Sequence, residues 1–156
     1  MAIYINILND DHLIKLEKSD LNTKLYLIKQ EIKEIAFIPI NEQIIYHNCI
    51  ILDNLKSIAD YSKDKVINLN LLIKEIPFNI KLKTLTNQEY IIKNITSQIF
   101  VEEIFFILFY HYDLHPEDIN IIFKNIVLDK SKKLSYYNIT DCSVLNITIK
   151  VKTGFF

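Results

Sequence analysis

Glycine is almost absent from this chain. A single glycine, Gly154, stands among 156 residues, whereas an average composition would supply about eleven. A glycine-rich phosphate-binding loop is therefore excluded, and we expect Asn, Asp and Ser to form the tight turns. Because no turn requires Gly154, we expect it to be kept for its missing side chain, which lets another molecule approach the backbone closely.

Cysteine is also scarce. Cys49 and Cys142 are the two cysteines, too few for a disulfide framework, and their scarcity indicates a reducing compartment. Neither has a histidine directly beside it in the sequence that would suggest an activated thiolate. We expect both to be small core or edge residues.

The sequence lacks an excess of charge of one sign and lacks long apolar runs. Its 18 basic and 19 acidic residues give a net charge of −1, which argues against nucleic acid or an anionic membrane as the main partner. The most apolar run, residues 104–110, is too short to cross a bilayer. The N-terminus has no basic segment followed by an apolar one, so no signal peptide is predicted and a cytoplasmic location is expected.

The predicted pattern of strands and helices occurs twice along the chain, as an internal repeat. Alternating apolar residues predict strands, and apolar residues at steps of three and four predict helices. The first half predicts strands at 3–7, 13–16, 43–46 and 66–73 and a helix over 23–35; the second predicts strands at 80–85, 90–95, 119–123 and 144–151, a helix over about 97–112 and a loop at 136–139. We predict an α+β fold of two tandem modules, each a mixed sheet packed on one helix. The predicted modules are residues 1–75 and 76–152, with a C-terminal tail at 153–156.

The second predicted helix has two apolar faces. The face expected to pack on the sheet holds Val101, Ile104, Phe105 and Leu108. Three aromatic residues, Phe106, Phe109 and Tyr110, fall on a different face and imply a cover, which is either the first module or a partner protein. Packing between the modules, which would widen the buried stripe, is the plainer interpretation. Glu102 and Glu103 fall in an early turn, where carboxylates complement the positive end of a helix.

The remaining polar residues do not predict catalysis. His111 and His115 are four residues apart, but a metal site needs a third ligand, and Pro116 indicates that the helix has already ended. We expect Tyr61 and Tyr137 to hold loops through their hydroxyl groups rather than to act as acids. No enzyme activity, metal or cofactor is predicted.

Several segments of the second half resemble ubiquitin. Residues 78–86 resemble its opening strand and turn, 116–123 its post-helix proline and third strand, 134–139 the loop with its buried tyrosine, and 143–152 its last strand and basic tail. The first half matches more weakly, through 38–39, 60–61 and 67–69. A tandem pair of this kind is similar to the interferon-induced two-domain modifier of vertebrates and to the two-domain modifiers of bacterial anti-phage systems.

The resemblance implies two β-grasp modules and a conjugated glycine. In the family the carboxylate of the C-terminal glycine is adenylated, passed on as a thioester and joined to an amine. Gly154 falls on that glycine, so a peptidase must first cut between Gly154 and Phe155 to remove Phe155 and Phe156. The implied partners are an activating enzyme, a conjugating enzyme, a processing and deconjugating peptidase, and target proteins, and the resemblance to the anti-phage systems implies an antiviral role.

Lys150, Lys152 and Thr153, which precede the cleavage point, are expected to contact the activating enzyme. Thr153 replaces the family's penultimate glycine, and Lys150 replaces an arginine, which removes bidentate recognition of a carboxylate. Together with Lys150, Lys152 is positioned to steer the tail towards an acidic groove. We therefore expect a dedicated set of enzymes rather than those of ubiquitin.

The family recruits partners through an apolar patch on its sheet. The matching positions here are Leu85, Ile122, Asn146 and Thr148, two apolar and two polar, so ubiquitin receptors are expected to bind poorly. Among the lysines that ubiquitin uses to form chains, Lys83 is retained and most others are replaced, which favours single attachment. The alternative function is a β-grasp adaptor that is not conjugated and acts only through its surfaces.

Overall fold

The computed structural model describes residues 1–8 and 10–151, which form two compact units, Met1–Glu75 and a second that begins at Ile76. The first unit contains β1 (Ala2–Ile7), β2 (Leu13–Leu16), α1 (Leu25–Ala36), β3 (Gln43–His47), β4 (Ile50–Ile51) and β5 (Val66–Ile73), with short 3₁₀ helices at Ile40–Glu42 and Ile58–Asp60. The second contains β6 (Phe78–Thr84), β7 (Glu89–Ile95), α2 (Val101–Tyr112), β8 (Ile119–Phe123), β9 (Ile126–Val127) and β10 (Val144–Ile149), with a 3₁₀ helix at Leu134–Tyr137. Among these described residues, no helix is long and apolar enough to cross a membrane.

Each unit has one mixed sheet of five strands. The strand orders are β2-β1-β5-β3-β4 and β7-β6-β10-β8-β9. The central pairs, β1 with β5 and β6 with β10, are parallel, and the other neighbours are antiparallel. The predicted α+β fold of two tandem β-grasp-like modules is confirmed.

Each core forms between one sheet face and its helix. Alternation along β1 turns Ile3, Ile5 and Ile7 inward, where they meet the buried face of α1. In the second unit the predicted helix stripe of Val101, Ile104, Phe105 and Leu108 is fully buried, which confirms that prediction. Burial of each such side chain contributes about 1.5–3 kcal/mol to folding.

The repeat is visible in individual hydrogen bonds. The Tyr61 hydroxyl accepts a hydrogen bond from the Asp53 amide at 2.9 Å, and 76 residues later the Tyr137 hydroxyl accepts one from Asp129 at 2.8 Å. These bonds confirm that both tyrosines hold loops through their hydroxyl groups. The loops differ from the prediction only in detail, since the one predicted at 136–139 overlaps a short 3₁₀ helix.

Several element bounds differ from the sequence prediction, most by one or two residues, and two short strands were not predicted. Helix α2 begins at Val101 rather than near residue 97, because the backbone before it bonds elsewhere: the Ser97 carbonyl accepts from the Ser135 amide at 2.9 Å. Strand β10 ends at Ile149 rather than at 151, because its partner β8 begins at the opposing residue, Ile119. Strands β4 and β9 were not predicted, since two residues are too few to display an alternation.

Residues other than glycine take up the left-handed backbone conformation in the turns. Among the described residues, ten non-glycine residues have positive φ: Phe37, Asn48, Cys49, Asn87, Asn94, Asp113, Lys124, Asn125, Asn138 and Cys142. Asn and Asp account for six of them, as expected from their tolerance of this conformation, but the other four are types that the prediction did not include. Both cysteines are exposed in these turns, so the interpretation of them as core residues is wrong, while Cys49 does lie beside the edge strand β4.

Replacing Cys49 with glycine is expected to stabilise the first unit by about 1 kcal/mol, because a side chain in the left-handed region crowds the next carbonyl. Cys49 (φ 63°) is the second residue of the β3–β4 turn, and Asn125 (φ 63°) occupies the same place in the β8–β9 turn. Asn125→Gly is the matched control, with a smaller expected gain because asparagine already tolerates this conformation. Urea unfolding of the full chain measures both; equal gains, or a loss at Cys49, would contradict the steric explanation.

Candidate functional site

The chain leaves the second sheet at the end of β10, its central strand. The last pair of this strand joins Ile149 to Ile119, and the next amide, that of Lys150, donates to the Asp118 carbonyl at 2.8 Å. Val151 follows with 91% of its surface exposed. The backbone is thus anchored up to Lys150 and released into solvent directly after it.

The predicted cleavage and conjugation residues follow this exit point. Lys152, Thr153, Gly154, Phe155 and Phe156 lie outside the described residues, so the roles assigned to them stay predictions. Lys150, the first of the three predicted contacts with the activating enzyme, is half-buried at the exit itself.

Three of the four predicted patch residues share the outer face of the second sheet. Ile122 on β8 stands directly opposite Asn146 on β10, and Thr148 lies two residues further along the same face. Leu85, with 86% of its surface exposed, follows the last β6–β10 pair, in which Thr84 opposes Ile147. The face is therefore a mixed apolar and polar surface.

The three aromatic residues lie on the other side of the same unit. Helix α2 packs on the inner face of the sheet, and its outward face leaves Phe106, Phe109 and Tyr110 exposed by 51%, 38% and 81%. They do not join the core of their own unit. The predicted partner residues thus form two separate surfaces, one on the sheet and one on the helix.

The retained lysine is held in an ion-pair cluster on the sheet. The Glu89 carboxylate lies 3.2 Å from Lys81 Nζ and 3.4 Å from Lys83 Nζ. Hydrogen bonds from Lys81 and then Lys83 lower the pKa of Glu89 below its ordinary value. Lys83 is thus an ion-pair partner of Glu89 as well as an exposed amine.

The first unit has an apolar surface that was not predicted from the sequence. Leu8 continues the β1 ladder through its amide, which donates to the Leu71 carbonyl at 2.8 Å, and Leu72 stands opposite Ile44. Leu8, Leu72 and Ile44 therefore form an apolar row across three strands of the outer face, which we call the first-unit row. The repeat was the signal that could have found it, since Leu72 lies 76 residues before Thr148.

A buried carboxylate in the first unit joins α1 to the end of β2. Glu31 is only 5% exposed, and it accepts hydrogen bonds from the Glu17 amide (2.7 Å), the Lys18 amide (2.8 Å) and the Ser19 hydroxyl. Burial raises the pKa of the Glu31 carboxyl, but these three hydrogen bonds lower it by more, so the pKa lies below its ordinary value. Sequence reasoning missed this residue, whose bonds span 12 to 14 positions.

Among the residues that the structure describes, His111 and His115 do not form part of a metal-binding site. Helix α2 ends at Tyr112, so His111 lies in its last turn and His115 beyond it, where its ring packs 5.0 Å from that of Phe109. Within the described part of the chain, no three His, Cys, Asp or Glu side chains lie together as a metal site would require. A comparison with known protein families gives no assignment either, since no family model matches this chain.

Proposed function

We propose that the chain is a ubiquitin-like protein modifier that is cleaved after Gly154 and conjugated through the Gly154 carboxylate. The observation that carries the proposal is the exit of the chain from the second β-grasp-like unit. Its central strand, paired on both sides, ends at Ile149 and releases an exposed backbone at Val151, three residues before the one glycine of the sequence.

The proposed chemistry needs an extended and narrow acyl donor. The Gly154 carboxylate attacks the α-phosphate of ATP on an activating enzyme and releases pyrophosphate. A cysteine thiolate then displaces AMP to form a thioester, and a target amine displaces the thiolate to form an amide. Glycine suits the acyl position because a side chain there would crowd the carbonyl carbon under attack. Lys150, Lys152 and Thr153 are the proposed contacts with the activating enzyme, and Thr153 requires an enzyme with room for its branched side chain.

The adaptor function remains the second candidate, and the first-unit row is the surface that it would use. Leu8, Ile44 and Leu72 offer an apolar strip on a sheet face, whereas the equivalent face of the second unit carries Asn146 and Thr148. An adaptor would use this surface without any covalent step. A modifier would use the same surface after attachment, so the covalent step discriminates between the two functions.

Intact-mass spectrometry tests the proposal directly. The full chain is expressed in its native cells, purified, and compared with the chain made without its native processing enzymes. Loss of both Phe155 and Phe156, together with target peptides that carry a Gly154-linked remnant on a lysine, is the expected result. An intact C-terminal Phe156 in the native cells, with no Gly154-linked adduct, would show that the chain is not a modifier of this kind.

A further inference from the structure

The outward face of α2 carries aromatic residues that the fold does not require. Phe106, Phe109 and Tyr110 are exposed there, with Phe109 packed edge-on against Tyr110 at 5.9 Å between ring centres. Helix α1 occupies the same place in the first unit, and the positions 76 residues earlier hold Gln30, Lys33 and Glu34. A β-grasp-like unit of this chain therefore folds with polar residues at all three positions.

The charges beside this aromatic face are negative. Exposed Glu102 and Glu103 lie in the first turn of α2, exposed Asp113 follows its last residue, and the helix contains no lysine or arginine. Two lysines of segment 130–133, whose backbone bonds to the start of α2, lie over other rings, Lys130 over Phe105 at 4.6 Å and Lys133 over Phe100 at 5.8 Å.

Lysines are missing where the helix presents its aromatic stripe; the basic side chain that contacts it is His115, whose ring lies 5.0 Å from that of Phe109 and whose Nε2 lies 3.7 Å from the Asp113 carboxylate. Within residues 1–8 and 10–151, no lysine lies over the ring of Phe106, Phe109 or Tyr110. An aromatic ring attracts a cation to its face, and carboxylates at both ends of the stripe attract further cations. The face is complementary to an apolar surface that carries positive charge.

We propose that the outward face of α2 binds a basic amphipathic helix of another protein, with apolar residues on the aromatic stripe and Lys or Arg residues at the carboxylates. The aromatic residues occupy the middle turn of a 12-residue helix about 18 Å long, with Glu102 and Asp113 towards its two ends, so aromatic residues and carboxylates together offer a docking length for a second helix. Self-association is disfavoured, because a two-fold pairing of antiparallel α2 helices would bring Glu102 of one copy towards Asp113 of the other. The proposal does not depend on conjugation.

The probe is a synthetic amphipathic helix of Leu and Lys, and the control probe is the matched helix of Leu and Glu. Binding to the full chain is measured by fluorescence anisotropy of the labelled peptide. We expect the Leu/Lys helix to bind and the Leu/Glu helix not to bind. The triple variant F106Q/F109K/Y110E, which installs the residues of α1 and leaves net charge unchanged, is expected to weaken binding about tenfold or more.

Two further measurements make the test decisive. The double variant E102Q/D113N is expected to weaken binding and reduce its dependence on salt, because it removes two carboxylates without changing side-chain shape. Thermal unfolding confirms that both variants stay folded. Equal binding by the wild type and the triple variant, or equal binding of the two peptides, would overturn the proposal.

If something other than a basic helix covers the outward face of α2, the same experiments give different results. Wild-type chain that binds neither peptide would indicate that the face is already covered within the chain. Concentration-dependent dimers in sedimentation, abolished in the triple variant, would identify a second copy as the occupant. Either result would overturn the proposal of a basic partner helix.

Discussion

Conjugates of this protein are expected to disappear when Gly154 is replaced by arginine. The new side chain would crowd the carboxylate that attacks the α-phosphate of ATP and the carbonyl carbon that the thiolate and then the amine attack, and a displacement of about 1 Å at a reacting centre reduces the rate about 100-fold. Both folded units should keep their stability, because the change follows the last anchored residue, Lys150. Immunoblots of native cells for high-mass adducts measure the effect.

The matched control places the same side chain two residues later. Phe156→Arg changes a residue that the proposed cleavage removes, so its adducts should remain near the wild-type level. Adducts that persist in Gly154→Arg would contradict attachment through this residue. Adducts lost equally in both variants would indicate a general requirement for the end of the chain rather than the chemistry of one carboxylate.

Removal of the Glu31 side chain is expected to destabilise the first unit by about 3 kcal/mol. Glu31→Ala leaves the Glu17 and Lys18 amides and the Ser19 hydroxyl without their acceptor, and each unsatisfied group in a partly buried place costs about 1 kcal/mol or more. The loss should be localised, with faster amide hydrogen exchange at Glu17 and Lys18. Urea unfolding of the full chain gives the free-energy change.

This contribution should depend on pH in one direction. The pKa of Glu31 in the folded chain lies below its ordinary value, so the carboxylate stabilises the fold above the unfolded pKa of about 4.3. The stabilisation is lost as the pH falls through the lower folded pKa, because the unfolded chain then takes up a proton more readily. The difference between wild type and Glu31→Gln should therefore shrink below about pH 4.

Glu34 supplies the control on the same helix. Its carboxylate pairs with the Lys18 ammonium in an exposed ion pair, and such surface pairs contribute about 0–1 kcal/mol. Glu34→Ala should thus change stability far less than Glu31→Ala. Equal losses in the two variants would contradict a special role for the buried hydrogen bonds.

The second unit shows why Glu31 has no equivalent there. The position 76 residues later is Ile107, which packs against the core that includes the buried Ile95, the counterpart of Ser19. One unit thus joins helix to sheet edge with a carboxylate and three donors, and the other uses apolar contact. The sequence pattern predicts a helix in both cases, but it does not distinguish these two ways of attaching it.

The candidate interaction surfaces could also be predicted from the sequence only in part. The resemblance to ubiquitin implied that Ile122, Asn146 and Thr148 share a sheet face, and they do lie at alternate positions of two paired strands. The separation of this surface from Phe106, Phe109 and Tyr110 could not be predicted, since it follows from the side of the sheet on which α2 packs. The first-unit row was missed because Leu8, Ile44 and Leu72 come from three segments far apart in the sequence.

The sequence by itself determined the duplication, the α+β class, the buried stripe of α2 and the tyrosines that hold the loops. Each follows from a local periodicity or from a motif repeated along the chain. Only the tertiary structure decided the exposure of Cys49 and Cys142, the burial of Glu31 and the end of β10 at Ile149. These features depend on which donors, acceptors and strand partners from distant parts of the sequence lie next to a given residue in the fold. A local sequence pattern carries no information about those neighbours.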